Sequence, residues 1–392
     1  MANLLNKLRM LDAEPKRQAH KEETSAKKTE GCYRSEAVFP LSTFCNRAHA
    51  TQAVLESIYG CEFPKNATPE DILFLDTETT GLSGGVGTIA FQIGIGYFTQ
   101  DAFVVEQLMM HDYHEEAQML QILASRMKRY SILCTFNGRT FDVPLLKSRF
   151  LMNRMKEDCF PDTHADALFP SRRLWKLRLK QCSLANLEEK LLGVVRDDDL
   201  PGALVPQTFF QYLKDGDFTP LLRVIDHNKQ DIVSLAQLFY FLCKQHDKPE
   251  EIDQVEDLLS LAKAAEKQGN LQKATKCYRL CAHGSTRADA YRALASSQKR
   301  QGHADAAIKL YQAMVKRGDD PIHAFEALAK LYEHQRKDPE QALHYTRQAL
   351  LLLSEPSLFH DPTVQEQQIA LQYRYQRLRR KILHASDLLD SR

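Results

Sequence analysis

An apolar run that ends in two acids leaves this chain few ways to fold. Residues 72–78 read Ile-Leu-Phe-Leu-Asp-Thr-Glu, and Thr79, Thr80 and Gly81 close the run. Ile72 to Leu75 has the composition of a buried strand, and the acids end it. Side chains alternate along a strand, so Asp76 and Glu78 share one face and Thr77 takes the other. Two carboxylates on one face repel and are costly unless a cation lies between them; hard, oxygen-loving ions such as Mg²⁺ and Mn²⁺ suit that place.

Two later segments have the same character. Ile132, Leu133 and Phe136 read as a second buried strand, Asn137-Gly138 as a turn, and Asp142 as a residue near a helix start, where negative charge is favourable. Ile232, Leu235 and Leu238 follow helical spacing behind Asp231, and His227 lies one turn earlier on the same face. Each segment alone also has a plain reading as a strand end, a cap or a solvated helix face. It is the order and flanks of all three that point to a two-metal phosphodiesterase.

DTETTGL, NGRTFD and the late HNKQD segment resemble the three exonuclease motifs of the DEDD superfamily, which has the ribonuclease H-like fold. The likeness is closer to its YprB-type branch, through DTETTGLSGGVGTIAFQIGIGYF, TFNGRTFDVPLLKSRF, HADALFPSRRLWK, CSLANLEEKLLG and RDDDLPGALVPQTFFQYL, and it covers residues 36–245. The resemblance implies a 3′ to 5′ exonuclease acting on a single-stranded end of DNA or RNA. Asp76, Glu78, Asp142 and Asp231 would hold two divalent cations, Mg²⁺ or Mn²⁺. One subgroup of the superfamily has a tyrosine four residues before the last aspartate, and another has a histidine five before it. This chain has His227 four before Asp231 and Asp226 five before it. Imidazole suits a proton acceptor, so His227 is expected to be the base, against a reading as an ordinary hydrogen-bonding helix residue.

Nucleic-acid contacts are expected from Thr79, Gly81 and Leu82 beside the first motif, and from Asn137, Phe141 and Asn228. Phe141 reads more readily as core, and Asn228 as a residue that orients a ligand or as a cap. The turn Ser83-Gly84-Gly85-Val86-Gly87 precedes a strand and lacks the Lys of a phosphate-binding loop. Arg172, Arg173 and Lys176 surround Trp175, the only tryptophan. They read either as a phosphate-and-stacking patch or as the polar face of a helix with Trp175 in the core. Asp162, His164 and Asp166 have the spacing of an isolated metal site, whereas the resemblance implies a strand end that supports the acids.

From about residue 250 the strand-like runs stop. Gly269, Ala274 and Tyr278 recur as Gly302, Ala307 and Tyr311, and Ala262 recurs as Ala295 and Ala329. This 33–34-residue spacing resembles tetratricopeptide repeats, helix pairs that bury their apolar faces only by stacking. Residues 363–385 read as one further helix, a polar cap or a basic surface.

The expected organisation is a helix and charged linker over 1–35, a domain over 36–248 with an α/β ribonuclease H-like mixed sheet and flanking helices, and an all-α tetratricopeptide-like solenoid over 250–392. A protein partner on the repeats is expected. The alternative function is a catalytically weak nucleic-acid-binding scaffold acting through its repeats. A net charge of +1 gives no global polycation signal, so any nucleic-acid surface must be local. Nine cysteines without a CxxC pair imply reduced thiols and a cytoplasmic setting. No run reaches the ~18–20 apolar residues of a membrane span.

Overall fold

The computed structural model describes residues 31–81, 87–196, 200–354 and 362–390. The N-terminal helix and most of the charged linker, Leu82, and the glycine turn up to Val86 lie outside the described residues. Two compact units emerge: Met1–Gln52, Glu62–Ala167 and Leu184–Phe241 make the first, and Ala53–Cys61, Leu168–Ser183 and Leu242–Arg392 the second.

The first unit holds a six-stranded mixed sheet. Its strands are β1 (Tyr33–Pro40), β2 (Ile72–Thr79), β3 (Ala90–Phe98), β4 (Ala102–Met109), β5 (Ile132–Thr135) and β6 (Thr163–Asp166). Their spatial order is β1-β4-β3-β2-β5-β6, with β2, β5 and β6 parallel and the remaining pairs antiparallel. β2 is central, which is why its apolar run has no polar interruption until it reaches the edge of the sheet.

Alternation along β2 sorts its side chains onto two faces. Leu73 and Leu75 join a core with Leu145, Leu146 and Phe150 of the helix Asp142–Met152 and with Met119, Leu120 and Leu123 of the helix Glu116–Met127. Phe74 points the other way, meeting Phe239 of the helix Leu221–Asp247 edge-on at 5.7 Å. Asp76 and Glu78 continue the Phe74 register, and Thr77 continues that of Leu75.

The long helix comes close to β3 because β3 carries glycine at alternate positions. A Cβ on Gly94 would lie 2.1 Å from Asn228 Oδ1, and one on Gly96 would lie 2.5 Å from Ile232 Cγ2. Residues two apart on a strand thus receive residues four apart on a helix, one turn over one pleat.

The second unit is helical in all its described elements. After the helix Leu168–Leu179 come the pairs Val255–Lys267 with Leu271–Leu280, Arg287–Arg300 with Ala304–Arg317, and Pro321–Leu331 with Pro339–Leu353, then the helix Pro362–Asp390. The repeating small residues Ala262, Ala295, Ala329, Ala274 and Ala307 are all buried, as are Tyr278 and Tyr311. Gly269 and Gly302 both have φ +80°, a left-handed turn at matching points in successive pairs. The final helix docks through buried Leu371 and Leu378, and Arg374 and Arg377 both pair with the nearly buried Glu333. That is the behaviour of a cap. All nine cysteines are free, and no described helix is long and apolar enough to cross a membrane.

Candidate active site

The acids meet where β2 ends, against the middle of the Leu221–Asp247 helix. Glu78, His227 and Asp231 offer ligand atoms that all lie within 4.8 Å of one another. His227 Nε2 is 3.6 Å from Asp231 Oδ2, as the one-turn spacing requires. Asp76 stands beside them. Burial first, and then the charges of Asp231, Asp142 and Glu78, push its carboxyl well above the ordinary carboxylate range.

Asp142 reaches the strand end from the opposite face of the sheet. It is the first residue of its helix, and its Oδ1 accepts the Thr77 hydroxyl at 2.5 Å. Burial pushes its carboxyl up to about 6, against the lowering effect of the Thr77 hydroxyl. It is not one of the close trio. The four acids therefore flank β2 from two sides, with Thr77 as the link to Asp142.

The close trio offers two carboxylates and one imidazole, and the charges of Asp76 and Asp142 are felt beside it, an oxygen-rich set that fits Mg²⁺ or Mn²⁺. The raised carboxyls of Asp76 and Asp142 show the repulsion and desolvation that a bound cation would relieve. This sets the pH dependence. An unfolded carboxylate titrates near 3.8 and the folded Asp142 near 6, so the native state holds the extra proton between these values. Stability of the metal-free protein should therefore fall as pH rises from about 4 to about 6.5, by up to ~3 kcal/mol for this group alone. Urea unfolding of the wild type beside Asp142→Asn in EDTA across that range checks it; a difference between the two proteins that does not change with pH counts against a raised carboxyl.

Beneath Asp76 runs a buried chain of amides that the motifs did not reveal. Asn228 Nδ2 donates to Asp76 Oδ2 at 2.9 Å, and Gln107 Nε2 of β4 donates to Asn228 Oδ1 at 3.0 Å and to the Ile225 carbonyl at 2.8 Å. Ser35 of β1 donates its hydroxyl to Gln107 Oε1 at 3.2 Å. Asp76, Gly94 and Gln107 are cross-strand partners in register, and the bare Gly94 leaves the space that Asn228 fills. Asn228 is thus corrected from a nucleic-acid contact to a support for Asp76: it is fully buried and its amide is committed inward. The register of Asp76 with Gly94 was the sequence signal for this, and it is visible only once the strand pairing is known.

The second motif is braced separately. Buried Asp166 at the end of β6 accepts the backbone N–H groups of Asn137 and Arg139, both at 2.9 Å. Asn137 has φ +68°, a conformation that Asn tolerates. His164 Nε2 lies 2.8 Å from the Thr135 hydroxyl, and burial lowers its pKa to about 4. The aspartate and histidine of this strand therefore serve the loop rather than a separate metal. Thr79 donates its hydroxyl to the Gly81 carbonyl at 2.8 Å, shaping the exit of β2, and Phe141 is half-buried.

Arg172, Arg173 and Lys176 are exposed on the Leu168–Leu179 helix, which belongs to the second unit, whereas the acidic site is built wholly from the first. Arg173 donates to the Ile58 carbonyl at 3.0 Å. Trp175 is fully buried, so the core reading holds and base stacking is not open to it.

One cation of the site was missed. Arg196 donates to both Asp231 and Glu188, and its second terminal nitrogen is 3.3 Å from His227 Nδ1. Nothing in its surrounding sequence marks it, since Glu188 and Asp231 are 8 and 35 residues away.

This sheet order and the acids at its edge define a ribonuclease H-like domain, and the chain belongs to the RNase H superfamily, whose family model matches residues 73–243. It is similar to the uncharacterized protein YprB of Bacillus subtilis (strain 168), at 30% identity over 296 residues, covering 73% of this chain and 70% of YprB. A family B DNA polymerase from the hyperthermophilic archaeon Pyrobaculum calidifontis is similar in structure at a TM-score of 0.36 and 12% identity, over 53% of this chain and 30% of the polymerase.

Proposed function

We propose that this protein is a divalent-metal-dependent nuclease, a 3′ to 5′ exonuclease that hydrolyses phosphodiesters of single-stranded DNA or RNA. The observation that carries the reading is the convergence of Glu78, His227 and Asp231 within 4.8 Å, beside a half-buried Asp76, in a chain of the RNase H superfamily. Asp76, Glu78, Asp142 and Asp231 are the residues that would hold two divalent cations. When bound, such ions supply Lewis acidity to a phosphodiester and cancel the repulsion among the acids.

The remaining roles fall to the chain's own groups. His227 accepts or orients a proton at the edge it shares with Asp231. Asn228 fixes the direction of the Asp76 carboxylate. Thr79, Gly81, Asn137 and Phe141, at the ends of β2 and β5, seat the terminal nucleotide. The helix pairs of the second unit act as a tetratricopeptide-like module for a protein partner, and Arg172, Arg173 and Lys176, exposed on the Leu168–Leu179 helix that precedes them, offer phosphate contacts of their own. The domain limits that go with this reading are 36–248 and 250–392.

End-labelled single-stranded DNA and RNA test it, with Mn²⁺, Mg²⁺ or EDTA, in the full-length protein beside its Asp76→Asn variant. Stepwise shortening that needs both the metal and Asp76 is the expected result, and the labelled end gives the polarity. Binding without cleavage, equal in both proteins, would move the function to a nucleic-acid-binding scaffold.

A further inference from the structure

The guanidinium at Asp231 occupies one carboxylate oxygen of a residue in the close acidic trio. Asp231 gives Oδ1 to Arg196 and turns Oδ2 towards His227. The same terminal nitrogen of Arg196 also reaches Glu188, whose side chain is 1% exposed, and Arg196 itself is 12% exposed. A buried carboxylate without its counter-charge is costly, so Glu188 holds the arm in place whether or not Asp231 does. A divalent ion would be the largest local charge at this end of the site. It and the guanidinium cannot both take Asp231 at close range without mutual repulsion.

We propose that Arg196 is a tethered counter-ion that competes with a divalent cation for Asp231, so that ion binding at the Glu78–His227–Asp231 end exchanges the guanidinium off Asp231 while Glu188 retains it. Arg196 thereby weakens metal binding at this end and keeps the acids neutralised until an ion arrives. This rests on the reading of these acids as metal ligands.

Mn²⁺ binding to the full-length protein, without nucleic acid, measures it by calorimetry and by the paramagnetic signal of free Mn²⁺. Arg196→Gln should tighten binding by about tenfold, the scale on which groups behind metal ligands act. Glu188→Gln, which leaves the guanidinium with Asp231 as its remaining carboxylate of the pair, should weaken binding. In an Asp231→Asn background Arg196→Gln should change affinity by less than about twofold. Unchanged or weaker binding by Arg196→Gln overturns the proposal. So does equal tightening in the Asp231→Asn background, because Arg196 would then act through its general field. If Arg196→Gln does not fold, Arg196→Lys replaces it: a shorter single-point cation should give intermediate tightening, and an unchanged affinity overturns the proposal. The metal reading itself fails differently, through wild-type protein that binds no Mn²⁺ or binds it equally well with Asp76→Asn.

Discussion

Asp142→Asn should lower metal-dependent hydrolysis by roughly a thousandfold, the scale of losing one preorganised charge-stabilising group, while making the metal-free protein more stable. Asparagine keeps the shape and can still accept the Thr77 hydroxyl through its carbonyl, so the packing at the strand end survives. What disappears is a buried negative charge. Burial raises the Asp142 carboxyl from 3.8 to about 6, so at pH 7.5 its ionisation costs the folded state ~3 kcal/mol relative to the unfolded chain. That figure is already net of the favourable backbone groups at the helix start, and the substitution recovers most of it. Urea unfolding in EDTA should show a gain of about 2 kcal/mol at pH 7.5 that shrinks as pH falls from about 6.5 to about 4. Mn²⁺ should stabilise the wild type more than the variant. A variant that loses both activity and stability would mean that Asp142 is a structural cap and that its charge serves the fold.

Gly94→Ala is expected to have the next largest effect, although Gly94 has no side chain to offer a metal or a substrate. Its Cβ would enter the place of Asn228 Oδ1, at 2.1 Å, and come within 2.9 Å of the Asn228 Cγ. Strand and helix cannot both keep their positions, and overpacking of this kind costs ~1–3 kcal/mol. Asn228 would be driven off Asp76 and Gln107, leaving buried amides unpaired. Stability should therefore fall by about 2–4 kcal/mol, and Mn²⁺ affinity by about tenfold through the disoriented Asp76. The double variant Gly94→Ala with Asn228→Ala should be no less stable than Asn228→Ala alone, because the clash and its object vanish together. Additive losses would show that Gly94 matters for some reason other than the space it leaves to Asn228.

The residues legible in the sequence were those whose chemistry conflicts with their local pattern. Asp76 and Glu78 stood out because a central buried strand does not end in two acids on one face without cause. Their shared register, and the opposite register of Thr77, followed from strand alternation. His227 and Asp231 stood out together because one helical turn brings them to one face. The alanine, glycine and tyrosine spacing of the last third was equally plain, since a helix pair is built from contacts close in sequence.

Asn228 was open to several readings, as a nucleic-acid contact, a cap or a residue that orients a ligand, for the complementary reason. Its neighbours place it on a helix face next to the catalytic candidates, but its burial depends on a bare Gly94 in a strand more than a hundred residues earlier, and on Gln107 beyond that. Asp142 was found as an acid but not placed: that it approaches β2 from the Thr77 face depends on where the parallel strands β5 and β6 lie. Arg196 had no local signal at all. Alternation and helical periodicity, the two regularities of a polypeptide backbone, settled from the sequence which acids would share a face. Which amide supports Asp76 and which cation meets Asp231 was decided by the tertiary structure alone, because hydrogen bonds and ion pairs act over a few ångströms in space and leave no period along the chain.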